Sequence, residues 1–348
     1  MKLFKFNYLV LFTVCILSNG CTAYSDSDHN TINHNTIGHQ HKKRILLLNS
    51  YSHGYTWSDN TVMGIRDTFK DDQNVVINIE YMDTKMIDTK EHFELLKQLY
   101  KNKYAQYTID VIIASDHNAL QFLRKYRDEL FPDVPVVLCG INNFSQEKVE
   151  GFKNYTVINA KTDFIANFEL ILALHPDIKT LYVINDTVTT ARSLQTEFFE
   201  ALKEYEDKFT IKILADLSLQ NLIDRVSSLE QDSVVYYLSF FKDSTGRSLA
   251  PAEVIPYISK ASPVPVYGST DYMLGHGIVG GSLKSGYFQG KTAAEAARKI
   301  LQGVRAGDIP VVMDNPSVYM FDYLQLQRFD IHISDLPKGS IIINRPES

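Results

Sequence analysis

Short apolar runs rich in β-branched residues alternate with amphipathic helical segments, and this alternation occurs twice along the chain. The runs predicted as strands are 44–49, 75–81, 109–114 and 134–140 in the first half, and 179–185, 209–214, 233–238 and 264–268 in the second. The predicted helices between them are 60–69, 90–101, 119–130, 191–205 and 219–229. Such alternation indicates parallel strands that are covered by helices on both faces.

Two copies of this pattern predict an α/β chain with two lobes, each a doubly wound parallel sheet with flanking helices. The length of 348 residues suits two lobes of about 100–150 residues each. After them, a helix at 289–303, strands at 310–312, 317–321 and 341–344, and a helix at 322–328 complete the predicted elements. The net charge of −6, with no dense basic cluster beyond Lys42-Lys43-Arg44, excludes nucleic acid as an expected partner.

The N-terminal segment is typical of an export signal. Lys2 and Lys5 precede an apolar run at 8–17, which is too short for a transmembrane helix of about 20 residues. We therefore predict a signal peptide at 1–20 and an exported protein, in the periplasm or at the cell surface.

The same segment resembles a bacterial lipoprotein signal, in which Cys21 carries the lipid and anchors the chain to the membrane. The resemblance has one departure, because Ser18 stands where such signals prefer leucine. Ordinary cleavage near Ala23 is the alternative. The polar residues of 21–43 are predicted to be a flexible linker that follows the anchor.

A ligand site in an open α/β sheet lies at the carboxyl ends of the strands, where loops and helix N-termini meet. In this chain the rule selects the loops 50–60, 115–118, 141–144, 186–190, 239–246 and 269–277. These loops are rich in polar side chains, and several carry aromatic rings. That combination suits a cleft that stacks on a flat or apolar group and fixes polar ends by hydrogen bonds.

The candidate ligand-binding residues come from these loops. They are Tyr51, His53, Tyr55, Trp57, Asp59, Ser115, Asp116, Asn118, Asn142, Thr187, Phe240, Phe241 and Asp271. Each aromatic residue has core packing as its alternative role. The aspartates have helix capping as theirs, and Asn142 has a turn.

Motifs for catalysis are missing from the sequence. It has no G-x-S-x-G, no P-loop, no H-E-x-x-H and no cysteine pair with metal spacing. Cys139 lies within an apolar run, where a core role is expected. We therefore predict a binding protein with no enzymatic activity, cofactor or metal. The alternatives are a hydrolase-like enzyme that uses the same cleft and a surface lipoprotein with a protein partner.

Five segments resemble one known family. They are LLLNSYSHGYTWSDNTVMGIR, IEYMDTK, ASDHNALQFLRKYRDELFPDVPVVLCGINNF, FDYLQLQRFDI and LPKGSIIINRP. The sequence is similar to ABC transporter substrate-binding proteins, in the type I periplasmic-binding-protein branch that includes tryptophan-binding lipoproteins. It is most similar to the version used as extracytoplasmic sensor domains of bacterial histidine kinases and diguanylate cyclases.

The resemblance implies a Venus-flytrap fold with three hinge crossings and a ligand between the lobes. It places lobe one at 44–157 plus 282–308 and lobe two at 158–281 plus 309–348. The implied function is capture of a small molecule, with amino acids and aromatic metabolites as the expected class. The implied partner is an ABC permease, or a membrane sensor kinase or cyclase. The chain ends at Ser348, where such sensors continue into a membrane helix, so a free-standing protein is expected.

Overall fold

Strands and helices alternate along the chain in a computed structural model that describes residues 42–142, 144–186, 189–247, 249–313 and 317–346, with the backbone alone at 189–193. The strands are β1 Lys43–Asn49, β2 Val75–Tyr81, β3 Val111–Ser115, β4 Val136–Ile141, β5 Tyr155–Asn159, β6 Thr180–Ile184, β7 Thr210–Leu214, β8 Ser233–Tyr237, β9 Val266–Tyr267, β10 Gly280–Leu283, β11 Val318–Asp322 and β12 Ile341–Ile343. The helices are α1 Thr56–Phe69, α2 Lys90–Tyr104, α3 His117–Leu130, α4 Phe164–Leu174, α5 Thr189–Leu202, α6 Leu219–Val226, α7 Pro251–Ala261, α8 Gly286–Leu301 and α9 Tyr323–Arg328.

The first sheet has the strand order β2-β1-β3-β4-β5 among the described residues, and its paired strands are all parallel. Helices α2 and α3 cover one face, and α1 and α8 cover the other. Because both faces are covered, Ile45 to Leu48 in β1 are completely buried. This sheet and its four helices are called the first lobe below.

Helices α1 and α8 pack almost backbone to backbone, and glycine makes this approach possible. A Cβ atom on Gly64 would lie 2.0 Å from the carbonyl oxygen of Tyr287, and one on Gly290 would lie 2.0 Å from that of Thr61. A Cβ atom on Gly286 would lie 2.7 Å from the carbonyl oxygen of Trp57. No side chain fits at these contacts, so α1 and α8 behave as one rigid pair.

The second sheet has the order β12-β11-β10-β9-β8-β6-β7 in the described part of the chain. Its strands pair in parallel except for β10 and β11, which are antiparallel. Helices α4, α5 and α9 pack on one face, and α6 and α7 on the other. This sheet and its helices are the second lobe. The predicted fold class, two lobes of largely parallel sheet with flanking helices, is confirmed.

The chain passes between the lobes at three places among the described residues: after β5, between β10 and α8, and before β11. Asn159, at the end of β5, links these places, because its Nδ2 donates to the carbonyl oxygen of Met313 over 2.9 Å. Its own carbonyl oxygen accepts from Gln289 Nε2 of α8, also over 2.9 Å. The first and third passages and helix α8 are therefore joined by hydrogen bonds to one residue.

The predicted lobe boundaries differ slightly from the places where the chain changes sheet. Ser282 and Leu283, predicted in lobe one, belong to β10 of the second sheet. Ile158 and Asn159, predicted in lobe two, belong to β5 of the first sheet. Val312, also predicted in lobe two, pairs with Ile158 at the edge of that sheet. Lys43, predicted as the last linker residue, begins β1 because it pairs with Val75.

Residues 1–41, which include the predicted signal peptide, most of the linker and Cys21, lie outside the described residues. Among the helices that the structure describes, none combines the length and the apolar character needed to cross a membrane.

Candidate functional site

A cavity of about 140 Å³ lies between the two lobes, at the carboxyl ends of their strands. The first lobe contributes aromatic and polar residues and one glycine to its wall: Tyr51, Tyr55, Trp57, Asp116, Gly140 and Asn142. The remaining wall comes from the second lobe and the passage after β5: Thr162, Leu194, Glu197, Leu238, Phe241, Thr270, Tyr272, Met273 and Lys284.

The loop after β1 forms the aromatic wall of the first lobe. The rings of Tyr51 and Tyr55 stack with centroids 4.8 Å apart and an interplanar angle of 5°. Trp57, in the first turn of α1, is buried beside them. Burial, followed by the nearby Asp116 carboxylate, raises the pKa of Tyr51 well above its ordinary value, so its phenol is a hydrogen-bond donor.

Asp116 has two structural roles at the end of β3. Its carboxylate caps α3 by accepting from the backbone N–H of His117, and its φ of 75° places it in the left-handed region. The same carboxylate accepts from the Tyr51 phenol over 2.8 Å and from Lys85 Nζ over 2.7 Å. It also lines the cavity. Asp116 therefore caps α3, which was its alternative role, and it also lies in the cavity wall.

Lys284 brings a positive charge into the cavity from the end of β10. Its Nζ donates to Asn142 Oδ1 over 3.2 Å and lies 5.4 Å from the centroid of the Trp57 ring. Burial lowers the pKa of Lys284, and the negative charges of Glu197, Asp116 and Asp271 partly oppose this shift. The described residues form no ion pair with Lys284, so its charge is met by an amide oxygen and an aromatic face.

Asp271 lies beside the cavity, between two residues that line it. Its Oδ2 accepts from Ser285 Oγ over 2.7 Å, from the Gly286 backbone N–H over 3.1 Å and from Asn60 Nδ2 over 3.4 Å. Burial raises the pKa of this carboxyl, and these hydrogen bonds oppose the shift. Asp271 thus binds the start of α8 and a residue of α1 together.

The structure brings six of the sequence-predicted candidates into the wall of one cavity. They are Tyr51, Tyr55, Trp57, Asp116, Asn142 and Phe241. Thr187 lies outside the described residues.

Three other candidates do not line the cavity, because their side chains make contacts elsewhere. His53 packs edge-on against Tyr81, with ring centroids 5.3 Å apart. Asp59 accepts from the backbone N–H of Gly54 over 3.2 Å. Phe240 is 1% exposed in the core of the second lobe, so its core-packing alternative is the one observed.

Two more candidates belong to the framework around the site. Ser115 is a buried residue of β3. Asn118 donates to the carbonyl oxygen of Thr84 over 3.2 Å and accepts from Lys85 over 3.4 Å. Both lie near the cavity without lining it.

Sequence reasoning missed several residues of the cavity wall, most notably Lys284, Glu197 and Tyr272. Tyr272 lies in a loop that the sequence had selected, next to the predicted Asp271. Lys284 follows the run Gly-Gly-Ser-Leu, which has no strand signal, and Glu197 lies within α5. Their roles depend on how the two lobes meet, which local patterns do not encode.

Comparisons with known proteins agree with this architecture. The sequence model of the family described as ABC transporter substrate binding protein matches residues 56–336. No curated protein sequence matches the chain.

Three solved structures illustrate the same fold. An ABC domain in complex with L-Trp from Streptococcus pneumonia has 19% identity and a TM-score of 0.57, over 86% of this chain and 100% of that one. A ligand-free, open substrate binding protein with adhesive properties from Clostridium difficile has 18% identity and a TM-score of 0.62, over 86% and 99%. A solute binding protein from Bacillus halodurans with bound myo-inositol has 12% identity and a TM-score of 0.52, over 79% and 93%.

The identities are low, so these three structures support the fold. The family model covers most of the chain, including most of both lobes and every residue of the cavity wall except Tyr51 and Tyr55. The resemblance seen in the sequence is therefore confirmed, and the chain belongs to the ABC transporter substrate binding protein family.

Proposed function

We propose that this solute-binding protein captures a small zwitterionic molecule with a flat apolar group, of the aromatic amino acid class, in the cavity between its lobes. The observation that carries the proposal is the placement of Lys284 over Trp57 inside a cavity whose walls also hold tyrosine rings and carboxylates. Aromatic walls with a few fixed polar groups are typical of sites that bind small molecules.

The aromatic part of the proposal depends on the two sides of the wall. The first lobe presents the stacked pair Tyr51 and Tyr55 and the indole of Trp57, and the second lobe presents Phe241 and Tyr272. A flat ring between such surfaces gains both apolar burial and favourable ring contacts, which are worth about 0.5–1.5 kcal/mol per pair beyond burial. A ligand without a flat or apolar group would leave this surface without a partner.

The zwitterionic part depends on charge. Lys284 has no ion pair among the described residues, so a ligand carboxylate would supply the missing negative partner. Asp116, which also pairs with Lys85, and Glu197 place carboxylate oxygens in the same cavity, and these can accept hydrogen bonds from an ammonium group on the ligand. Together these charges match the two ends of an amino acid.

Two structural relatives were solved with different ligands, L-Trp in one and myo-inositol in the other. The aromatic wall of this chain supports the first kind of ligand. A polyol would favour a wall dominated by hydrogen-bonding side chains.

We further propose that the protein works outside the cytoplasm, that Cys21 is its lipid attachment site and that an ABC permease receives the ligand. Family membership supports the transport partner, and a membrane sensor kinase or cyclase is the alternative. No chemical change of the ligand is expected. Labelled palmitate should be incorporated by the natural chain and not by Cys21→Ser, and equal labelling would contradict the anchor.

A thermal-shift screen of the full chain tests the ligand class. The panel should contain the proteinogenic amino acids, sugars, polyols and nucleobases. A ligand at 100 times its Kd should stabilise the protein by about 2.7 kcal/mol. We expect aromatic amino acids to raise the unfolding midpoint and to be recovered unchanged.

Two lysine variants make the screen specific. Lys284→Met should abolish the ligand-induced shift, because it removes the charge from the cavity. The matched control is Lys179→Met, since the Lys179 side chain is 76% exposed in an ion pair with Asp232. Stabilisation by sugars or polyols alone, or an undiminished shift in Lys284→Met, would contradict the proposed class.

A further inference from the structure

The carboxylate of Asp271 lies where the second lobe meets the rigid α1–α8 pair of the first. The short turn Asp271–Met273 follows β9 and is fixed within the second lobe. The backbone N–H of Asp271 donates to the carbonyl oxygen of Lys284 over 3.0 Å, and Lys284 N–H donates to the carbonyl oxygen of Ser269 over 2.8 Å. The Asp271 backbone therefore moves with the end of β10.

The side chain of Asp271 binds the opposite lobe. One oxygen, Oδ2, accepts from the hydroxyl and the backbone N–H of two consecutive residues, Ser285 and Gly286, at the N-terminus of α8. It also accepts from Asn60, which lies on α1 one turn after Trp57. Hydrogen bonds to a charged acceptor are stronger than neutral ones, and a helix N-terminus favours negative charge.

These three donors belong to one rigid body. The α1–α8 contact leaves no room for a Cβ atom on Gly286, where the nearest atoms are the Trp57 carbonyl oxygen at 2.7 Å and Asn60 Cβ at 3.2 Å. A shift of the Asp271 turn relative to the helix pair therefore breaks all three hydrogen bonds together.

The neighbours of these groups line the cavity. Thr270 and Tyr272 flank Asp271, Lys284 precedes Ser285, and Trp57 precedes Asn60 by one helical turn. We infer that Asp271 is a positioning residue of the binding cavity: by holding Ser285, Gly286 and Asn60, it fixes Lys284 against Trp57 and keeps Tyr272 in the cavity wall. This inference rests on the proposed function, because that function gives the cavity its use. The contacts of Asp271 themselves do not depend on a ligand.

The chain's only tryptophan is Trp57, so the fluorescence of the full-length protein reports on this contact without a ligand. In Asp271→Ala we expect the emission of Trp57 to shift to the red and its quenching by acrylamide to increase. Loss of the charged hydrogen bonds should raise the ratio of separated to joined lobes about tenfold, which is equivalent to about 1.4 kcal/mol. Asp271→Asn, which retains an acceptor oxygen, should restore part of the wild-type emission.

The matched control is Asp308→Ala. Asp308 is exposed, pairs with Arg305 and lies far along the chain from the Asp271 turn. It should leave Trp57 emission unchanged. Far-ultraviolet circular dichroism verifies that each variant is folded. If Asp271→Ala does not fold, Asp271→Asn and Asn60→Ala carry the test.

A double-mutant cycle separates positioning from a general loss of structure. Asn60→Ala alone should increase quenching of Trp57, and it should add nothing in the Asp271→Ala background. Unchanged quenching in folded Asp271 variants, or fully additive effects of the two substitutions, would overturn the inference. Because no ligand is used, either outcome is distinct from a failure of the ligand screen.

Discussion

The phenol of Tyr51 donates a hydrogen bond to the carboxylate of Asp116 over 2.8 Å, which joins the loop after β1 to the cap of α3. Lys85 donates to the same carboxylate from the loop after β2. Three loops at the carboxyl edge of the first sheet are thus held by one side chain. The aromatic wall of the cavity is therefore built on a fixed base, so little ordering entropy is lost there on binding.

Replacing Asp116 with alanine should lower the free energy of unfolding by about 2–4 kcal/mol, since a cap and two further hydrogen bonds are lost and alanine is strained at a φ of 75°. Tyr51→Phe removes one of these bonds and should cost about 1 kcal/mol. Urea denaturation measures both. Equal losses in the two variants would contradict the central role of Asp116.

Adjacent phenylalanines should respond differently to truncation. Phe240 is buried in the core of the second lobe, so Phe240→Ala should cost about 3–5 kcal/mol of stability. Phe241 lines the cavity, so Phe241→Ala should weaken the ligand-induced thermal shift with a smaller loss of stability. The same loss of stability in both variants would show that Phe241 is also a core residue.

Gly290→Ala in α8 should be destabilising, although alanine is the better helix former by about 1 kcal/mol. The added methyl group would lie 2.0 Å from the Thr61 carbonyl oxygen, and separating α1 from α8 should cost about 2–3 kcal/mol. Gly307→Ala is the control, because a Cβ atom there has no neighbour within 4 Å. Thermal unfolding compares the two, and a neutral Gly290→Ala would refute the close packing.

Acid should destabilise the second lobe through His175. Its Nε2 lies 2.7 Å from the Tyr267 hydroxyl, and burial lowers the pKa of His175 to about 4. Between the unfolded value of about 6.5 and this value, the unfolded chain binds the extra proton. Stability should therefore fall as the pH drops from about 6.5 to about 4, by up to about 3 kcal/mol from this residue.

The comparison with His175→Gln isolates this contribution. The variant should lose less stability over the same pH interval, whereas His332→Gln, at an exposed position, should follow the natural protein. Denaturation at a series of pH values measures the difference. Parallel curves for the natural protein and His175→Gln would show that His175 does not titrate in this interval.

Most of the fold was predictable because buried parallel strands leave continuous apolar runs. Val75–Tyr81 was predicted with its observed bounds, and the bounds of most other predicted strands differ from the observed ones by one or two residues. The predicted strand at 310–312 forms only an isolated bridge, between Val312 and Ile158. The prediction missed β5, Tyr155–Asn159. It also missed β10, Gly280–Leu283, because two glycines and a serine have weak strand propensity. That strand forms through its pairing with β11, an interaction between distant segments.

The candidate site was predictable to the extent that it follows the carboxyl ends of strands. This rule selected Tyr51, Trp57 and Asp116, which line the cavity. It could not select among neighbours within a loop, so Asp271 was chosen where Tyr272 lines the wall. Loop orientation also depends on hydrogen bonds between distant segments, such as those of Asn60 and Ser285 to Asp271.

Helix α8 covers one face of the first sheet, where Ala293 and Ala297 pack in one cluster with Ile45 and Ile113. Among the described residues, five of the seven strands of the second lobe, β6 to β10, precede this helix in the chain. During synthesis, this face of the first sheet is therefore covered by α1 alone until the ribosome has passed Leu301. The lobe that begins first is finished late, so the two lobes mature almost together and no N-terminal fragment that stops before α8 can complete either one.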